Sequence, residues 1–279
     1  MDYKIIYEQL FQISKMAGII AVHLQKDIVN EGKVVEHQQH EDVYHKAMRE
    51  AKTKVDVMVQ ELFLQMLYPE YHNVVTLDVE EESDYVQQYQ NDSYTYTLVL
   101  DPIDGTLDYI HQKDTYSICS AILHDGDVKV AMVYFPARDE LYGYYEGGCV
   151  QYYKHLTHCH VHDGKPFSYT LQKQEPKIIY KNSRLSSIMV QQLLDKGFQV
   201  IDDQKEYGGC PQALLKCMSG DAFAYVSDTR NIRDILLGAI LSKLETGTTC
   251  NYKGEAVLWE THGRQKEIIF TVYDKNLIF

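Results

Sequence analysis

A mixed α/β fold in one continuous unit is what this sequence predicts, on three observations. Apolar residues recur at alternating steps of four and three along the first part of the chain. From Val74, runs of β-branched and aromatic residues between turn formers take over. Beyond Ser186, short helical and strand-like stretches alternate. With 279 residues, 45% hydrophobic and 24% charged, the chain can bury a sizeable core and has an ordinary globular composition. No repeat, low-complexity tract or long linker divides it. Residues 1–279 therefore read as a single unit, with a soft subdivision into 1–150 and 151–279.

The opening helix carries Ile6, Leu10, Ile13, Ala17 and Ile20 on one stripe, with Gly32 expected just past its end. A second long helix is expected up to Tyr68, with Val43, Ala47, Ala51, Val55, Met58, Leu62 and Met66 on its apolar face. Pro69, which lacks an N–H, is expected to stop it, and the two helices to lie antiparallel. Residues 95–100, 117–123, 128–135 and 141–145 read as strands. Asp125-Gly126-Asp127 between two of them is a hairpin signal, because glycine tolerates positive φ. Further on, 186–196, 211–219 and 235–244 are helical patterns and 222–226 is a strand candidate.

The formal net charge of −13 argues against a nucleic-acid backbone or an anionic membrane as partner, since both would repel an acidic surface, and it favours cations. Met1-Asp2-Tyr3-Lys4 leads into an amphipathic pattern rather than a secretion signal, and no segment reads as long and apolar enough to span a bilayer. The six cysteines, Cys119, Cys149, Cys159, Cys210, Cys217 and Cys250, are scattered without a C-x-x-C pair and read as reduced thiols of a cytoplasmic protein. His155, His158, Cys159, His160 and His162 are crowded together; on a strand, His158, His160 and His162 would share a face and could bind zinc or copper. No cysteine pairs elsewhere match them, so they read as surface histidines, as do His37, His40 and His45. The 23 tyrosines read as packing and hairpin residues, for interleaved basic patches are missing.

The chemistry concentrates where Tyr96-Thr97-Leu98-Val99-Leu100 ends in Asp101-Pro102-Ile103-Asp104-Gly105-Thr106. Two carboxylates meet the end of a strand at a turn that Pro102 stiffens and Gly105 leaves open to close approach. A short helix starting at Gly105 would aim its free N–H groups at a phosphate held by the carboxylates' metals. An Asp-Gly turn alone is usually structural; the full hexapeptide is much rarer. Upstream stands Glu80-Glu81-Glu82-Ser83, and Asp234 follows Asn231-Ile232-Arg233 at the start of another helix. Oxygen ligands from separate segments are what Mg²⁺ prefers, with water and substrate phosphate completing its shell.

These residues resemble the inositol monophosphatase family, within the lithium-sensitive, metal-dependent phosphatase superfamily, over nearly the whole chain. The first signature is Asp-Pro-Ile-Asp-Gly-Thr at 101–106, with Glu81-Glu82-Ser83 at the family's usual separation from it. The second keeps Asp234 but has Arg233 in place of tryptophan. Thr53-Lys54-Val55-Asp56, Tyr134-Phe135-Pro136 and Gly208 to Pro211 agree more weakly. The resemblance implies a layered α/β/α/β/α sandwich, usually a homodimer, that hydrolyses a small phosphate monoester with Mg²⁺. It implies that Glu81, Asp101 and the Ile103 carbonyl hold one ion, that Asp101, Asp104 and Asp234 hold a second, and that Asp101 bridges them. Asp56 would hold a third ion or else be a solvated helical carboxylate, and Glu82 would support the ligands. Thr106 and Glu81 would orient the attacking water beside Asp104. The substrate side would comprise Ile103, Asp104, Gly105, Thr106, Gly208, Asp228 and Arg230.

Two departures bear on the substrate. Where the family reads inositol with a glutamate, this chain has Ser227, followed by Asp228-Thr229-Arg230. Arg230 and Arg233 either grip a second phosphate, as in members that also take fructose 1,6-bisphosphate, or pair with nearby acids, and Arg184 has the same ambiguity. Inositol monophosphate or a related sugar phosphate is the expected substrate. The alternatives are fructose 1,6-bisphosphate, 3′-phosphoadenosine 5′-phosphate, and a non-catalytic homologue that keeps the metal cage.

Overall fold

Helical and strand periods in the sequence become two β-sheets interleaved with three helical layers. The computed structural model describes residues 1–33, 43–89, 95–168, 171, 174–182, 184–207, 209–229, 232–257, 259, 265–274, 276 and 278. Helix α1 (Tyr3–Leu24) starts where Asp2 accepts from the N–H groups of Lys4 and Ile5 at 2.9 and 3.2 Å. It buries Ile6, Leu10, Ile13 and Ala17 as their spacing requires, together with Tyr7, Phe11 and Ala21. A 3-10 turn at Gln25–Asp27 follows, so the helix ends well before Gly32. With that turn, Tyr3–Asp27 is long and apolar enough to cross a membrane, which corrects the expectation that no segment is. Half of its apolar window is buried inside the protein.

The second expected helix is two: α2 (Val43–Glu50) and α3 (Lys54–Tyr71). The break comes from a capping box, in which the Thr53 hydroxyl accepts from the Val55 N–H at 3.1 Å and the Asp56 carboxylate accepts from the Thr53 N–H at 2.9 Å. The buried face of α3 is Val55, Val59, Phe63, Leu64 and Leu67, whereas Met58 and Met66 are exposed and Val43 is 87% exposed. The apolar stripe therefore lies on a different side from the one expected. Pro69 is carried inside the last turn, where its missing N–H costs the helix a single bond.

The first sheet runs in chain order: β1 (Thr76–Val79), β2 (Tyr96–Asp104), β3 (Ser117–His124), β4 (Asp127–Phe135), β5 (Glu140–Tyr145), β6 (Gln151–Lys154) and β7 (Lys165–Pro166). β1 and β2 are parallel and the other neighbours antiparallel. β3 and β4 turn at Asp125 and Gly126, with φ of 48° and 75°, as the hairpin signal predicts. The short helix α4 (Thr106–Ile110) lies between β2 and β3. The second sheet comprises β8 (Ile178–Lys181), β9 (Gln199–Asp202), β10 (Ala224–Thr229), β11 (Thr248–Cys250) and β12 (Gln265–Thr271), in the order β11-β12-β10-β8-β9. Helices α5 (Ser187–Asp195), α6 (Asp203–Tyr207), α7 (Cys210–Met218) and α8 (Leu236–Leu241) complete the chain.

Alternation along β2 divides the core. Leu98 and Leu100 join Leu10, Phe11, Val59 and Phe63 beneath α1 and α3. Val99 faces the other way, with Cys119, Val133, Leu214, Leu237, Ile240 and Phe270, in the layer that α7 and α8 fill between the sheets. α5 and α6 lie against β9, which completes the α/β/α/β/α order.

At Gly18 of α1, an added Cβ would lie 2.0 Å from Cε1 of the Tyr134 ring on β4. Alanine gains about 1 kcal/mol over glycine in a free helix, but overpacking a tight core costs about 1–3 kcal/mol. Gly18→Ala is therefore expected to lower the urea midpoint; an unchanged or higher midpoint would show that α1 can shift off the sheet.

Candidate functional site

Strand register decides which acids meet. Thr76 stands opposite Thr97 and Val79 opposite Leu100, so the chain leaving β1 brings Glu80 level with Asp101. Because side chains alternate, Asp78 and Glu80 belong to the face of Val99 and Asp101, toward α7 and α8, and Glu81 turns toward α3. A bulge then resets the phase of β2. Asp101 pairs with Cys119 and Asp104 with Ser117, three steps on β2 against two on β3. Asp101 and Asp104, which an unbroken strand would send to opposite faces, thus come to the same one. Pro102, with no N–H for the ladder, falls inside the bulge. Gly105 follows at φ 89°, a left-handed conformation that suits glycine, and α4 begins.

Asp234 enters from the 3-10 turn Arg233–Ile235 ahead of α8. The Cys210 thiol, at the start of α7, donates to its main-chain carbonyl. Arg233 Nη1 binds Asp78 Oδ1 at 2.5 Å and the Val79 carbonyl at 2.7 Å. Standing where the resemblance expects tryptophan, this arginine ties the second signature to the end of β1.

Asp101, 5% exposed, and Asp104 are both held well above the usual carboxylate range. Burial is the first cause in each. Next come Glu80, Asp104 and Asp234 for Asp101, and Asp234, Glu80 and Asp203 for Asp104. Asp101 Oδ1 and Asp104 Oδ2 are buried without a hydrogen-bond partner. Buried like-charged oxygens without donors are costly, and only protons or cations relieve them. Among the described residues, no group of three or more histidine, cysteine, aspartate or glutamate side chains is posed to hold a metal ion as it stands. The donor chemistry nevertheless fits a hard cation: oxygens only, from separate segments, with two unsatisfied.

The structure thus gathers Asp101, Asp104, Asp234 and Glu80. Glu81 goes elsewhere: its carboxylate, 4% exposed, meets Lys33 at 3.3 Å and Lys52 at 2.6 Å. Gln60 holds its backbone, accepting the Glu81 N–H at 2.9 Å and donating to its carbonyl. Asp56 is fully buried, which excludes the solvated helical carboxylate. Its Oδ2 accepts from the Thr53 hydroxyl at 2.6 Å, and its Oδ1 lies 3.1 Å from Thr106 Oγ1. Burial pushes its pKa up to about 6 against those bonds. Thr106 Oγ1 is also 2.9 Å from the Ile103 carbonyl oxygen.

On the expected substrate side, a Cβ at Gly209 would lie 3.7 Å from Asp104 Oδ1, so the loop before α7 backs onto that carboxylate. Asp228 is half-buried and its backbone exchanges two 3.1 Å hydrogen bonds with the Asn182 side chain. Ser227 is buried. Gly208 and Arg230 lie outside the described residues, as do His37, His40 and the side chain of His45. The crowded histidines sit on 3-10 turns, Leu156–His158 and Val161–Asp163, with the rings of His160 and His162 stacked at 5.4 Å, so no strand face assembles them.

Sequence reasoning missed Asp203, the first residue of α6. It is buried, accepts from the Tyr225 hydroxyl at 2.7 Å, and its charge bears on Asp104. The available signal was an acidic pair, Asp202-Asp203, straight after a strand pattern. Missed too were Cys119 and Cys210, buried thiols pushed up by burial and then by the neighbouring carboxylates.

Comparison with known proteins follows the same lines. Residues 3–273 match the model of the inositol monophosphatase family. The inositol-1-monophosphatase of Bacillus subtilis (strain 168) is 21% identical over 203 residues, 73% of each chain. A solved dual specific IMPase/NADP phosphatase bound with D-inositol-1-phosphate superposes with a TM-score of 0.72 at 18% identity, over 100% of this chain and 95% of that one. An IMPase/NADP phosphatase complexed with Mg²⁺ and phosphate gives 0.69 at 20% identity, over 99% and 92%. At such identities the structural likeness is one of fold.

Burial pushes the Asp203 pKa from 3.8 up to about 7, against the Tyr225 hydrogen bond. With the folded value above the unfolded one, its stabilising effect is full below the unfolded value and is lost as pH rises through 7. In chelator-treated protein, Asp203→Asn is expected to flatten part of the fall in melting temperature between pH 4 and 8, roughly the window those values set; a parallel fall in both proteins would show that Asp203 titrates normally.

Proposed function

The chain belongs to the inositol monophosphatase family, a family of phosphoric monoester hydrolases, and we propose that it is a Mg²⁺-dependent phosphatase of inositol monophosphate or a related sugar phosphate. One observation carries this reading: the bulge in β2 sets Asp101 and Asp104 on one buried face with an unpartnered oxygen each. A relative in fold has been solved with Mg²⁺ and phosphate, which supports it.

Asp101, Asp104 and Asp234 would hold the ions, with the Ile103 carbonyl and a carboxylate of the Glu80–Glu82 run, and Asp56 is placed to serve a third. A divalent cation bound there would supply a water of lowered pKa and would neutralise phosphate charge. Thr106, whose hydroxyl is anchored between the Ile103 carbonyl and Asp56, would be placed to orient an attacking water. The N–H groups of Gly105 and Thr106 bind phosphate oxygens at the turn. Lithium sensitivity, a homodimer and a cytoplasmic location belong to the same reading. A bisphosphate substrate has less support, because Arg233 is already paired with Asp78.

Phosphate release should appear with Mg²⁺, fall with Li⁺, and favour inositol monophosphate over fructose 1,6-bisphosphate and 3′-phosphoadenosine 5′-phosphate in a malachite-green panel. Tight ester binding without release would instead identify a non-catalytic homologue. Asp101→Asn is expected to lower turnover by at least ~10²-fold while raising the melting temperature of the metal-free protein, since it removes a buried charge. Wild-type turnover of this variant at saturating Mg²⁺ would sink the metal assignment.

A further inference from the structure

We propose that Asp78 and Arg233 act together as a positioning pair: the carboxylate of one and the guanidinium of the other fix where Asp234 stands against Asp101 and Asp104. This rests on the metal-dependent reading above and adds two residues that act through Asp234 rather than on the ion.

Asp234 needs an anchor because the turn that carries it is short. Arg233–Ile235 is a single 3-10 turn, and Ile232 at its start supplies no side-chain capping bond. Ile232 and Ile235 are buried and seat the turn against β2 and α7. Such apolar contact is non-directional, so it sets the depth of the turn more firmly than its position along the sheet. Arg233 supplies the direction. Its Nη1 donates to Asp78 Oδ1 at 2.5 Å and to the Val79 carbonyl at 2.7 Å, a side-chain and a main-chain acceptor on consecutive residues. Both belong to β1, which runs in register with β2, Asp78 opposite Val99 and Val79 opposite Leu100. The residue after Leu100 is Asp101. One nitrogen therefore ties a turn 155 positions away in sequence to the strand frame that carries Asp101.

Charge makes the two residues depend on each other. Asp78 shares a face with Glu80 and Asp101, so its carboxylate adds to a crowd of like charges. Arg233 offsets it, with the two side chains only 9% and 15% exposed. Removing one partner of an ion pair so far from water is costly, whereas exchanging both for apolar side chains of similar volume is often tolerated. Position 233 is where the family's second signature has tryptophan, an apolar side chain that needs no counter-ion. The arginine here needs one, and Asp78 supplies it from β1.

The test uses full-length Arg233→Met, Asp78→Leu and the charge-balanced double variant, each titrated with Mn²⁺ alone and followed by electron paramagnetic resonance of the free ion. Coulomb's law by itself predicts opposite effects for the two single variants. Losing the positive charge would tighten cation binding, and losing the negative charge would weaken it. A positioning pair predicts one direction for both. All three variants are expected to weaken Mn²⁺ binding by at least about tenfold, the scale known for residues that orient metal ligands. Urea unfolding of the metal-free proteins separates position from stability. Each single variant should lower the midpoint, and the double variant should recover most of that loss while its Mn²⁺ affinity stays low. Should a single variant fail to fold, the double variant alone decides. Arg233→Met binding Mn²⁺ at least as tightly as wild type, or a double variant with wild-type affinity, would overturn the pair's role and leave the metal-dependent reading intact. A wild-type protein that binds no Mn²⁺ would overturn both.

Discussion

Mutual repulsion among buried and half-buried carboxylates is the constraint around which this protein is organised. Asp101, Asp104, Asp234 and Glu80 are drawn to one face of the first sheet, and burial holds at least the first two well above the range in which a carboxyl normally ionises. Such a group costs several kcal/mol per charge unless protons or cations neutralise it. The rest of the fold must therefore be stable enough to carry it, and it carries it with two apolar layers. One lies beneath α1 and α3, the other between the sheets.

Asp101, Asp104 and Asp234 are surrounded by devices that hold their segments in place. Arg233 pins the 3-10 turn of Asp234 to the end of β1, Cys210 fixes the Asp234 carbonyl, and the Thr53–Asp56 capping box anchors Thr106 from the far side. Lysines of the protein itself meet the acidic run and not the β2 aspartates: Lys33 pairs with Glu80 and Glu81, and Lys52 with Glu81, in the loop after β1.

Much of this was legible beforehand. Residues with one dominant period were read correctly in kind: the α1 stripe, the strands at 117–123 and 128–135, and the hairpin at Asp125-Gly126. Where two local signals compete, reading failed. Thr53 looked like one more helical residue until its capping partnership with Asp56 split the helix, and Met58 and Met66 fit an apolar stripe that the sheet never covers. The histidines from His155 to His162 had a spacing that would matter only on a strand, and their backbone is not one.

By itself, the sequence determined that an acidic hexapeptide ends a strand, and that other carboxylates stand at the ends of separate elements. Those are properties of neighbouring residues: a proline that lacks a donor, a glycine that accepts positive φ, an apolar run that stops at a charge. Only the tertiary structure decided which acids share a face. That choice depends on the pairing of β1 with β2 and on one extra residue in a bulge, and a shift of a single position sends every side chain to the opposite side of a sheet.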